Sequence, residues 1–230
     1  KKGAGLPDIL LDYLYNECEH RFHIYDSKIL DYGGGVGFAS MYIKNKNMNN
    51  HVILSDVSHA SLNEAKFNNR ADEYLVLDMS KNKISLLDNS IDKVFLFDVL
   101  EHISDPYFAL TESKRVCKER GLIYISIPDE TQQEGYRGHQ HAFVYPGLFY
   151  LDNFRRFLKQ MYLKILFHRE IKNIKTPCRK YESEENDGYV NEDPIHHFFI
   201  CENFEIKQDA LELVALDRKE KELEYHQHEA

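Results

Sequence analysis

Apolar residues fall in short runs along the chain, separated by mixed segments of helix length. The runs near 28–32, 51–55, 74–77, 92–97 and 121–127 are rich in Ile, Val, Leu and Phe, as buried strands are. Between them, 37–45, 59–68 and 106–118 read as helices, after a first helix near Pro7–His20. The helix over 106–118 has Asp105 as its N-cap and Pro106 at its first position. Tyr107, Leu110 and Cys117 can share one of its faces, and Gly121 punctuates its far end. Strand–helix alternation of this kind predicts an α/β fold, doubly wound, with a mostly parallel sheet and helices on both faces.

Past Pro128 the pattern changes. Residues 128–145 are polar and Tyr-rich without a clear period, and a helix is expected over Pro146–Gln160 with Phe154 and Leu158 at i, i+4. Leu163–Phe167 and Leu211–Leu216 read as strands, and the stretch 170–210 is longer than a usual connection, a candidate lid or oligomer arm for a homodimer. The charged tail from Asp217 reads as a fraying helix.

Four apolar runs end in an acid, at Asp31, Asp56, Asp78 and Asp98. Ligands of such sheets bind outside the carboxyl ends of the strands, so all four acids belong to the binding edge. After Asp31 come Gly33, Gly34, Gly35 and Gly37, where the backbone can turn sharply and approach a ligand closely. A dinucleotide fingerprint reads G-x-G-x-x-G, but Phe38 stands three residues beyond Gly35, which argues against a nicotinamide dehydrogenase.

The pattern D-x-G-x-G-x-G, with Asp56 19 residues after Gly37 and Asp98-Val99-Leu100-Glu101-His102 after the fourth strand, resembles the class I S-adenosylmethionine-dependent methyltransferases. The resemblance is to the type 11, ubiquinone-biosynthesis-like group and covers residues 28–169. It implies a Rossmann-like sheet of seven strands with an antiparallel pair at one edge, and one domain over 1–230 with its cofactor-binding core at 28–127. It implies S-adenosylmethionine as cofactor, with Asp31 anchoring its amino acid end and Gly33, Gly34, Gly35 and Gly37 making room. Asp56 would hold the ribose, with Val57 beside it among the cofactor-binding residues, although Asp56 and Ser58 compete as N-cap of the next helix. Asp78 and Met79 would hold the adenine. Val99 and His102 would lie near the cofactor, while Asp98 serves either the site or a cap of the following turn.

On the acceptor side, Gly138-His139-Gln140-His141-Ala142-Phe143 resembles a stretch that faces the methyl group in small-molecule and sugar methyltransferases. His139 and His141 alternate, so an extended backbone points both the same way, and imidazole suits a general base near neutral pH. Tyr136 and Tyr145 are candidate walls of the acceptor pocket. A two-histidine metal site there lacks a third ligand with clear spacing, so no metal is expected.

Composition narrows the acceptor. Hydrophobic residues make up 43% and charged residues 29%, ordinary for a globular protein of 230 residues. A formal charge of −9 lacks the basic face that phosphate backbones require, so nucleic acid is not the expected partner. No run of 18 apolar residues suggests a membrane span. Cys18, Cys117, Cys178 and Cys201 follow no zinc or disulfide spacing and read as reduced thiols of a cytoplasmic protein. The opening Lys1-Lys2-Gly3 is unlike a signal peptide, and the missing Met is expected of a trimmed or processed chain. The expected activity is methyl transfer to a small-molecule or sugar acceptor, at oxygen first. The alternatives are N-methylation of a small molecule or protein, and a scaffold that binds cofactor without turnover.

Overall fold

The computed structural model describes residues 6–77, 83–129, 147–171 and 196–204. The elements in chain order are α1 (Leu6–Glu17), a 3-10 turn (His20–Phe22), β1 (Lys28–Tyr32), α2 (Phe38–Lys46), β2 (His51–Asp56), α3 (His59–Phe67), β3 (Glu73–Val76) and β4 (Ile91–Phe97). A 3-10 turn (Leu100–His102), α4 (Pro106–Val116), β5 (Cys117–Pro128), α5 (Leu151–Gln160), β6 (Leu163–Ile171) and β7 (His196–Asn203) follow. The sheet has seven strands in the order β3-β2-β1-β4-β5-β7-β6. Strands β1 to β5 pair in parallel, and β7 runs antiparallel to both β5 and β6.

Side chains alternate across this sheet with a period of two, and each face has its own helices. Leu30, Ile53, Val94, Leu96, Ile123, Ile125 and Phe199 pack with Ala109 and Leu110 of α4 and with Phe154, Phe157 and Leu158 of α5. Ile29, Val52, Leu54, Phe95, Tyr124, Phe198 and Ile200 pack with Leu10, Leu11 and Leu14 of α1, with Ala39 and Ile43 of α2, and with Leu62 and Ala65 of α3. Burying one such Leu or Phe stabilises the fold by about 1.5–3 kcal/mol, so the two faces together hold the doubly wound arrangement. The chain leaves β1 outward to β2 and β3, then returns on the other side to β4. The carboxyl ends of β1 and β4 therefore flank the point where strand order reverses.

Two expectations change. The helix expected over 106–118 starts as predicted, with Asp105 Oδ1 accepting the Phe108 N–H at 2.9 Å, but stops at Val116. Asn203 Nδ2, at the end of β7, donates to the carbonyls of Lys114 and Cys117 at 2.9 Å and of Lys118 at 3.2 Å. A distant side chain thus satisfies the terminal carbonyls, and Cys117 opens β5 instead of sharing a helix face. Gly121 lies inside β5, where a Cβ would come within 2.6 Å of Cys117 Sγ and 2.8 Å of the Asp92 carbonyl.

The second change concerns the edge pair. The antiparallel partner of β6 is His196–Asn203, within the stretch taken for a long connection, whereas Leu211–Leu216 lies outside the described residues. Residues 198–201 are completely buried, two on each face, so this part of the supposed lid is sheet core. Histidines and charges around the short apolar run hide it from a pattern reading. Among the described residues no helix is long and apolar enough to cross a membrane. Cys18, Cys117 and Cys201 are free and buried.

Candidate cofactor and acceptor site

The turn after β1 is held by its own backbone. Gly33, Gly35 and Gly37 have φ of 69°, 56° and 78°, a region that costs other L-residues about 1–2 kcal/mol each. Gly34 is required for a different reason: a Cβ there would lie 2.5 Å from the Asp31 carboxylate. The Gly37 N–H donates to the Gly34 carbonyl at 2.9 Å, and Gly34 N–H donates to the Ser55 carbonyl at 3.1 Å. Arg70 braces the far side, its Nη1 donating to the Val36 carbonyl at 2.7 Å while its guanidinium lies over the Phe38 ring. Arg70 has no motif of its own, and sequence reasoning missed it.

Asp31 is only 1% exposed and lies beneath this loop. The Ser40 hydroxyl donates to its Oδ2 at 2.6 Å. Burial pushes its pKa up to about 6; the Ser40 hydrogen bonds oppose the shift and the nearby Asp56 adds to it. Asp56 sits at the end of β2, its Oδ2 accepting from the Gly35 N–H at 2.8 Å and its Oδ1 from the Ser58 N–H at 2.7 Å. Capping of α3 falls to Ser58, whose Oγ accepts from the Ser61 N–H, so Asp56 is not the N-cap. Each Asp56 oxygen has accepted one bond and retains room for another. Val57 beside it is an exposed hydrophobic, 53% open.

The turn after β4 closes the other wall. Val99 packs against the glycine loop so closely that a Cβ on Gly33 would meet its Cγ1 at 2.8 Å. Asp98 has φ of 51°, a left-handed conformation that Asp tolerates better than most residues. Its N–H donates to Ser126 Oγ at 3.0 Å, and that hydroxyl donates back to Asp98 Oδ1 at 2.7 Å. Asp98 Oδ2 lies 3.3 Å from His196 Nε2. Glu101 is 1% exposed, and burial, reinforced by Asp98, raises its carboxyl well above the usual range. His102, half exposed, has its Nε2 3.8 Å from Glu101 Oε1.

A second histidine pair lies beside this one. His197 Nε2 meets Asp129 Oδ2 at 3.1 Å, and His197 Nδ1 meets His168 Nε2 at 3.3 Å. Arg155 donates to His168 Nδ1 at 3.0 Å. Burial, aided by Arg155 and His197, lowers the His168 pKa to about 4. The donors therefore run in one direction, from Arg155 through both imidazoles to Asp129. Ser126, Asp129, His168, His196 and His197 carry no recognisable spacing, and only strand pairing reveals them.

Of the residues singled out from sequence, the structure brings Asp31, Gly33, Gly34, Gly35, Gly37, Asp56, Val57, Asp98, Val99 and His102 to the carboxyl ends of β1, β2 and β4. Asp78, Met79, Tyr136, His139, His141 and Tyr145 lie outside the described residues. A cavity of about 500 Å³ opens at the opposite end of the sheet, between Arg21, Asp92, Lys93, Lys118 and Arg120, away from these groups.

Residues 30–125 match the model of a methyltransferase domain family, a span running from β1 through β5. Over that span the chain resembles the class I S-adenosylmethionine-dependent methyltransferases. The same fold occurs in a SAM-dependent methyltransferase from Methanosarcina mazei, 17% identical, with a TM-score of 0.61 over 80% of this chain and 96% of that one. A SAM-dependent methyltransferase from Aquifex aeolicus is 21% identical, with a TM-score of 0.57 over 85% and 89%. The [4+2]-cyclase SpnF shares the fold at 14% identity, with a TM-score of 0.62 over 86% and 79%. No curated protein sequence matches the chain.

The residues present fit S-adenosylmethionine. No described residue lies within 4 Å of where a Gly35 Cβ would stand, Asp56 has spare acceptor capacity for ribose hydroxyls, and Val57 offers an apolar surface beside it. When bound, the cofactor supplies a methyl group already activated by its sulfonium charge. The protein supplies alignment, which can contribute several kcal/mol to the barrier reduction.

Proposed function

We propose that this methyltransferase acts on a hydroxyl of a small-molecule or sugar acceptor, by in-line displacement with histidine assistance. The observation that carries this reading is the charge of the acceptor edge. Beyond the glycine loop, the ends of β4 and β5 present Asp98 and Asp129 beside imidazoles, and among the described residues the basic side chain in this network is Arg155 behind His168. Carboxylates repel phosphate, while carboxylates and neutral imidazoles accept protons from hydroxyls. The net charge of −9 points the same way.

In this reading Asp56 and Val57 hold the adenosine ribose, Asp78 and Met79 the adenine, and Asp31 supports the amino acid end through the loop above it. Val99 and His102 line the cofactor wall. His141 and His139 are the sequence's candidates for the general base, and Tyr136 and Tyr145 for the pocket wall. The test is calorimetric titration with S-adenosylhomocysteine, with NAD as control, followed by an acceptor panel of phenols, sugars and amines. Binding of the thioether and turnover on hydroxyls are expected, and His141→Ala should lower turnover with cofactor affinity intact. Turnover on amines alone would overturn the choice of oxygen.

A further inference from the structure

We propose that His196 takes the proton from the acceptor hydroxyl, with Asp98 and Ser126 as the residues that position it. The inference rests on the hydroxyl-methylation reading above but not on its choice of His139 or His141.

Strand pairing brings the parts together. His196 opens β7 opposite Pro128, the last residue of β5, so it stands at the carboxyl edge of the parallel strands. Asp98 follows β4, and Phe97 of that strand is in register with Ser126 of β5. Val99, the next residue, packs on the glycine loop, so the group borders the cofactor wall. Asp98 is fixed from both sides: its N–H and its Oδ1 share the Ser126 hydroxyl, at 3.0 and 2.7 Å. That leaves Oδ2, which faces His196 Nε2 at 3.3 Å.

A carboxylate beside one ring nitrogen favours the proton on that nitrogen, which assigns the proton of His196 to Nε2 and the lone pair to Nδ1. Nδ1 is buried with no hydrogen-bond partner among the described residues, in a side chain 6% exposed. Leaving such an acceptor unsatisfied is costly, and although His23 Nδ1 is also buried and unpaired, His196 alone of the two has a carboxylate beside its other ring nitrogen. The neighbouring pair shows the contrast, since His168 and His197 use both nitrogens of each ring. A base close to a hydroxyl must have a free lone pair and a partner for the charge it acquires. Of these three imidazoles, only His196 has both.

The step balances simply. The acceptor oxygen forms a bond to the methyl carbon as the carbon–sulfur bond breaks, and that electron pair goes to sulfur. The hydroxyl proton passes to His196 Nδ1, and the resulting imidazolium is stabilised by Asp98. Apo distances to such a base are commonly longer than those in the reacting complex.

Two measurements test this. Nitrogen-15 NMR of histidine-labelled protein should find His196 with its proton on Nε2 and Nδ1 unprotonated, a preference that Asp98→Asn should weaken. A proton resident on Nδ1 would overturn the assignment without any turnover measurement. Kinetically, His196→Gln keeps a donor toward Asp98 but cannot accept a proton. It should lower kcat on a weakly acidic phenol by about 100-fold or more, and much less on a strongly acidic phenol that arrives ionised. Affinity for S-adenosylhomocysteine should stay within about twofold, as a control that the fold is intact. Equal losses on both phenols, or none, would overturn the role of His196. Failure of the wild type on every hydroxyl would instead overturn the hydroxyl reading, and the tautomer result would still stand or fall separately.

Discussion

The carboxyl edge of the sheet has two halves built on different principles. Around β1 and β2, residues 31–40 and 55–58 form a unit whose bonds are local: Asp31 with Ser40, Asp56 with Gly35 and Ser58, Gly37 with Gly34. Around β4, β5 and β7, the polar groups come from positions 98, 126, 129, 168, 196 and 197, and meet only because strands pair. The first half is a backbone cradle with its carboxylates largely satisfied. The second is a side-chain network that leaves His196 Nδ1 unpaired. A common cofactor asks for the first kind of site, while an individual acceptor can be met by changing side chains in the second.

If the cradle depends on backbone shape, a glycine that is both left-handed and packed against the opposite wall should be a weak point. Gly33→Ala places a Cβ 2.8 Å from Val99 Cγ1 at a φ of 69°. The left-handed strain of about 1–2 kcal/mol and overpacking of about 1–3 kcal/mol should add. Thermal unfolding should report most of that loss, and calorimetry should find cofactor affinity reduced by 100-fold or more. A near-normal variant would break the view of the loop as a rigid cradle.

The buried Asp31 gives the next largest effect. With its pKa raised from 3.8 to about 6, the folded state holds this proton more tightly than the unfolded chain. Its contribution to stability is therefore greatest below the unfolded value and declines as pH rises through about 6, by on the order of 3 kcal/mol in all. Asp31→Asn should flatten that part of the profile and be the more stable protein at pH 8. Denaturant melts of both proteins from pH 4 to 8 measure this. Parallel profiles would mean that the carboxylate is not penalised by its burial.

The same contrast explains what could be read from sequence. The cradle was legible because its spacing is local: a strand, an acid, glycines at alternate positions, then a helix. The five parallel strands were legible because each is a short apolar run ending near a turn signal. The end of α4 was not, because Asn203 caps it from the far end of β7. Nor was β7 itself, whose apolar core of Phe198 to Cys201 is short and framed by His196, His197 and Glu202. Asp98 was legible as a strand-end acid, but its partner His196 was not, since 98 residues separate them.

Independence of the halves can be measured directly. Asp56→Ala removes a charged acceptor from the cradle, a loss of about 2 kcal/mol for each good hydrogen bond to the ligand. Affinity for S-adenosylhomocysteine should fall by about thirtyfold, while the His196 tautomer seen by NMR stays unchanged. His196→Gln should leave that affinity within about twofold while lowering kcat on the weakly acidic phenol. The double variant should show the sum of the two single effects to within about 0.5 kcal/mol. A larger coupling would mean that the two halves act as one network.

The smallest effect on stability is expected at Gly35. Its φ of 56° carries the same left-handed strain as its neighbours, but a Cβ there meets no described residue within 4 Å. Gly35→Ala should therefore cost only about 1 kcal/mol of folding stability, well below Gly33→Ala. Affinity for S-adenosylhomocysteine should fall by more than that strain accounts for, because the added methyl would enter the space that the cofactor needs. The decisive quantity is the ratio of the two losses. Equal losses would mean that the open side of Gly35 faces solvent and that the cofactor lies elsewhere along the edge. A loss of affinity several times larger than the loss of stability would fix the cofactor against this glycine.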